Sequence, residues 1–146
     1  MAGYFIPNSY GECFFPPRAN SSTDSIMKVQ IEGLSETEGQ ICYSLFDKSE
    51  GFPNRSDNII QAKCVSIRSL MPTFTINNLH YGTYALAVFH DVNKDEELNR
   101  SFIGIPQEGF GFSQNPEVIT SAPSFSDSAV VVTGAETNLR VQLRYF

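Results

Sequence analysis

The chain has no tryptophan, only two histidines, three cysteines and ten basic residues against sixteen acidic ones. Each shortage removes a class of protein. With a net charge of −6 and its Lys and Arg scattered, it lacks the clustered positive charge that phosphate backbones need, which argues against nucleic acid as a partner. No apolar run approaches the roughly 20 residues of a helical membrane span. His80 and His90 are the whole imidazole supply. No G-x-S-x-G elbow, no H-E-x-x-H and no phosphate-cradling glycine motif is present. The sequence therefore offers no recognisable catalytic constellation and is read as that of a non-enzyme. Cys13, Cys42 and Cys64 fit no zinc spacing and form an odd set. Their expected state is free thiols without a disulfide, with Cys42 and Cys64 on separate strands as small apolar side chains. The first residues show neither the basic nor the continuous apolar part of a signal peptide, which leaves the compartment open.

What is present is β-pattern. At 146 residues, the chain is one domain's worth. Residues 27–33 alternate, with Met27, Val29 and Ile31 on one side and Lys28, Gln30 and Glu32 on the other. Strands follow at 40–47, 59–68, 72–77 and 83–90. In the last of these Tyr84, Leu86, Val88 and His90 share a face. Two more are expected at 127–134 and 138–145, and a short helix at 115–120 behind Asn115 and Pro116. Seven short strands without α/β alternation predict an all-β fold. Its expected form is an immunoglobulin-like or transthyretin-like sandwich with mixed or antiparallel sheets and one long functional loop. The sandwich is assigned to residues 26–146.

Residues 1–25 read differently. Tyr4, Phe5, Ile6, Tyr10, Phe14 and Phe15 are interleaved with proline and glycine, without a period of 2 or 3.6. Disordered tails are poor in aromatics, so an extended arm is expected. It folds back on its own domain, or it docks on an identical subunit or another protein. The second reading is favoured here. It makes the chain a structural or interaction protein that assembles through the arm.

The stretch 91–99 carries an oxygen-bearing side chain at every second position: Asp91, Asn93, Asp95, Glu97 and Asn99. Alternate positions of a turning loop can converge on a hard cation that takes six to eight oxygens, so Ca²⁺ is the cofactor this spacing points to. Counted from Asp91 as an EF-hand, the sixth and twelfth positions hold Glu96 and Phe102 instead of Gly and a bidentate Glu. The competing reading is a polar inter-strand loop, with Asp and Asn bonding their own backbone. Phe102, Phe110 and Phe112 follow and are expected to form an apolar platform beside the loop. A calcium-dependent module recognising a carbohydrate or a protein is therefore the alternative function.

The run FHDVNKDEELNRSFIGIPQEGFGFS resembles the signature of a bacterial family known as domain of unknown function 2141. Further landmarks agree: Leu45-Phe46, then Glu50-Gly51-Phe52-Pro53, Gly82-Thr83-Tyr84-Ala85, Pro123-Ser124-Phe125 and Asp127-Ser128-Ala129. The resemblance spans about residues 27–145. It implies a small, usually exported β-sandwich with no established activity. Lys94 and Glu96 stand where glycines are usual in the family, and Asn99 where Asp is usual.

Overall fold

A computed structural model describes residues 25–53, 55–95, 108–117 and 121–145. These residues contain eight strands: β1 (Ser25–Glu32), β2 (Gln40–Phe46), β3 (Ile59–Ser66), β4 (Thr73–Leu79), β5 (Gly82–Asp91), β6 (Phe110–Phe112), β7 (Val130–Val132) and β8 (Glu136–Gln142). They form two sheets. One has the order β4-β1-β8. The other has the order β3-β2-β5-β6, with β7 sharing the second edge of β5 with β6. β1 pairs antiparallel with β4 and parallel with β8, so the first sheet is mixed.

The alternation in β1 does what its period demands. Met27, Val29 and Ile31 are essentially sealed from solvent, while Lys28 is exposed. Across the layer they meet Ile41, Tyr43 and Leu45 of β2 and Leu86 and Val88 of β5 in one hydrophobic cluster. The Tyr43 and Phe74 rings stack 4.6 Å apart and nearly parallel within it. The other face of β2 is also covered. Phe46 is fully buried and meets Phe52, which in turn contacts Phe112 and Phe125. β2 and β5 thus have apolar cover on both faces over part of their length. This explains why β2 reads as a nearly continuous apolar run.

Three expectations are corrected. The described residues hold eight strands where seven were expected, because Phe110–Phe112 pairs with Ala87–Phe89 inside the stretch read as loop. A three-residue Phe-Gly-Phe strand is too short to show a period. Gly111 takes its place because the Cβ of any larger residue would lie 2.7 Å from Val141 Cγ1 and 2.8 Å from the Gln142 carbonyl. The strand expected at 127–134 contracts to Val130–Val132, preceded by a single 3₁₀ turn at Ser126–Ser128. The helix expected from Asn115 does not begin there. Asn115 has φ 49° and residues 115–117 are irregular; 118–120 lie outside the described residues. The Asn115 amide instead clasps β8, donating to the Arg140 carbonyl at 3.1 Å and accepting from the Gln142 N–H at 2.8 Å. Its side chain is therefore not free to cap a helix.

Burial holds the Tyr43 hydroxyl above its ordinary pKa, and Tyr84 is raised by burial and then by the charge of Asp47. Both hydroxyls keep their protons in the folded chain after the unfolded chain has begun to lose them. Stability is therefore expected to be intact below pH about 10 and to fall as pH rises past it. Urea melts at pH 9 and 11 would measure the drop. Tyr43→Phe combined with Tyr84→Phe should flatten it, and an equal drop in that double variant would contradict the assignment.

Candidate functional site

β5 ends at Asp91, which is fully buried, and the chain turns at once through Asn93, Lys94 and Asp95. Lys94 takes φ 59°, a left-handed conformation that reverses the chain sharply. The Asp95 N–H points back at the Asp91 Oδ1, at 3.2 Å, and at the Asn93 Oδ1, at 3.4 Å. The other Asp91 oxygen, Oδ2, accepts from Gln40 Nε2 at 2.9 Å. Glu108, the residue that returns the chain toward β6, is 7% exposed and its Oε2 accepts from the Val92 N–H at 2.9 Å. The His90 N–H bonds the Gly109 carbonyl at 2.8 Å. Both ends of the 91–108 loop are thereby fixed to one another.

This closure brings three carboxylates together. One oxygen each from Asp91, Asp95 and Glu108 lie within 4.8 Å of one another. Two ligands on the same Ca²⁺, each about 2.4 Å from it, can be no more than about 4.8 Å apart. The three oxygens are thus compatible with a single coordination sphere. Two of the donors are withdrawn from water, while Asp95 faces it.

Of the residues expected to form the site, Asp91 and Asp95 converge. Asn93 is exposed and directs its oxygen to the loop's own backbone, as the polar-loop reading expects. Glu97 and Asn99 lie outside the described residues, as do Phe102 and the arm residues Tyr4, Phe5, Ile6, Tyr10, Phe14 and Phe15. Phe110 and Phe112 are 5% and 9% exposed and pack edge-to-face on each other, with Phe52 against Phe112. They belong to the aromatic layer over the sheet, and the open platform expected of them is withdrawn. Glu108 was missed. Its signal was its place in QEGFGFS, directly before the glycine and phenylalanine pairs; spacing from Asp91 alone could not reveal it.

The histidines separate cleanly. His80 is exposed. His90 is fully buried beside the core, its Nε2 against the Glu38 carbonyl at 2.6 Å and its Nδ1 against the Tyr145 hydroxyl at 2.9 Å. That hydroxyl also accepts from the Ser35 N–H. Both ring nitrogens are occupied in holding the end of β5 to the loop before β2 and to the chain after β8.

The cysteines bring the largest correction. Cys42 and Cys64 face each other across the β2–β3 pair and form a disulfide, with Cα atoms 4.0 Å apart. The expectation of free thiols rested on an odd count, which does not say which residues the sheet places opposite one another. The Asp91 Oδ2 lies 3.8 Å from the Cys42 sulfur.

These features define a small two-sheet β domain with an acidic loop hinged on a central strand. A family model described as an uncharacterized protein conserved in bacteria, DUF2141, matches residues 29–140, and the chain belongs to that family. No curated protein and no solved structure matches it. Among the described residues, no helix is long and apolar enough to cross a membrane.

Proposed function

We propose that the domain is a non-enzymatic, calcium-responsive interaction module. In this reading Asp91, Asp95 and Glu108 bind one Ca²⁺ that fixes the loop between β5 and β6. The observation that carries it is the convergence of three carboxylates from the two ends of that loop, two of them buried. Buried acids are uncommon unless something is gained from them, because withdrawing a charge from water is costly. In the sequence, oxygen-bearing side chains stand at alternate positions from 91 to 99, a spacing that suits a hard cation. The occupation of both His90 nitrogens by structural contacts supports a binding role over an acid–base one. The aromatic arm, with six large apolar side chains in residues 1–25, suits docking on an identical or different chain.

Affinity is expected in the weak class of such loops, with Kd about 10⁻⁴–10⁻³ M, since glycine is missing where it would ease the turn. In about 10 mM Ca²⁺ the native state should then gain about 1.4–2.7 kcal/mol, seen as a Tm rise of about 5–10 °C. Glu108→Gln should abolish the rise while its carbonyl keeps the bond from the Val92 N–H. Light scattering on the same samples, with and without residues 2–20, reads association. An unchanged Tm in Ca²⁺ sinks the cation reading, and an unchanged particle mass on deleting the arm sinks the docking reading.

A further inference from the structure

The carboxylate of Asp91 has a second set of neighbours. Cys64, Cys42 and Asp91 sit on three adjacent strands, β3, β2 and β5, and on the same face of the sheet. Cys42 is directly opposite Cys64 on one side and Phe89 on the other, and Asp91 is two residues beyond Phe89. Residues two apart on a strand share a face, so Asp91 is the diagonal neighbour of Cys42. The two sulfurs and an Asp91 oxygen all lie within 4.8 Å of one another. Cys42 and Asp91 are buried, whereas Cys64 is half-buried on the outermost strand, which leaves an approach from that side.

We propose that the reduced form of this protein holds a zinc-type divalent ion through Cys42, Cys64 and Asp91. A dithiol reductant transfers two electrons and two protons to the bridge, giving two thiols and leaving the reductant as a disulfide. Each thiol then releases one proton as its sulfur binds the ion, and water takes the fourth position. In a tetrahedral site with Zn–S about 2.3 Å and Zn–O about 2.0 Å, a sulfur and an oxygen ligand stand about 3.5 Å apart and two sulfurs about 3.8 Å. The Asp91 Oδ2 is already 3.8 Å from the Cys42 sulfur. Reduction frees the two sulfurs to move apart by side-chain rotation, and the Cys64 sulfur, within 4.8 Å of an Asp91 oxygen, has a short way to close on the same ion. Thiolate donors select zinc, cobalt and cadmium over calcium. The site is therefore chemically distinct from the carboxylate cluster, although both draw on Asp91.

The test uses the full chain carrying Cys13→Ser, reduced with a phosphine, which takes up the oxygen of one water as the bridge becomes two thiols. Titration with Co²⁺ should produce a thiolate-to-cobalt charge-transfer band and tetrahedral ligand-field bands at one ion per chain, and Zn²⁺ should displace them. The unreduced protein should give neither. Asp91→Asn should weaken Co²⁺ binding at least about tenfold, and Cys64→Ala should abolish the band. Glu108→Gln should leave it unchanged, which separates failure of this site from failure of the calcium site. Circular dichroism follows folding throughout. If reduction loosens the fold, Zn²⁺ should restore it. Absence of the bands in folded reduced protein overturns the proposal, as does equal binding by Asp91→Asn or a reduced chain that zinc does not refold.

Discussion

Replacing both Cys42 and Cys64 by alanine is expected to destabilise the domain by about 3 kcal/mol, a Tm loss near 10 °C. The bridge joins residues 22 apart in sequence, so it closes a loop of moderate length in the unfolded chain. Cutting it returns that loop's freedom to the unfolded state, and the folded state loses little else, since the β2–β3 ladder stays paired over seven positions. Both cysteines must be changed together, because a single substitution leaves a lone thiol against the Asp91 carboxylate. Urea melts of the double variant against the oxidised parent measure the difference. Equal midpoints would mean that the bridge does not form in solution.

Gly39→Ala is expected to cost about 2–4 kcal/mol and to blunt the calcium response as well. Gly39 precedes β2 with φ +90°, where a side chain is strained. An added Cβ would lie 2.4 Å from the Asp91 carbonyl oxygen and 2.7 Å from Val92 Cα. Both are backbone atoms and cannot swing aside, so relief must come from shifting the start of the acidic loop. At Gly134 an added Cβ would meet nothing within 4 Å, which makes Gly134→Ala the control, expected within about 0.5 kcal/mol of the parent. If Gly39→Ala matches that control, the close approach at Asp91 is not rigid.

Most of the architecture was legible where a strand has one wet face. β1 announced itself through Met27, Val29 and Ile31 because Lys28 and its polar neighbours oppose them. β6 was hidden because its pairing depends on Gly111 fitting under Val141, a contact made more than 25 residues away in sequence. The site divided in the same manner. Asp91 and Asp95 were found by local spacing, whereas Glu108 reaches them only through closure of the loop. The disulfide was missed for an equivalent reason. Cys42 opposite Cys64 is a statement of register, and register is set by hydrophobic pattern and turn length over both strands. Phe110 and Phe112 look like exposed recognition residues by composition, and only packing against Phe52 assigns them to the interior.

The parallel pairing of β1 with β8 has a temporal consequence. β1 is the first described strand and the middle member of its sheet, and while one edge pairs with β4, the other, from Ile26 to Glu32, pairs with Glu136 to Gln142. A chain emerging from a ribosome can lay β1 against β4 early, but the other edge of β1 waits for β8. Contacts of such long sequence separation are slow to form, on the ms–s scale of all-β domains. Until then Met27, Val29 and Ile31 lack part of their cover and an unpaired edge is presented to other chains. The domain's folding is thus timed by β8, and the interval before that strand arrives is when the domain is most exposed to misassembly.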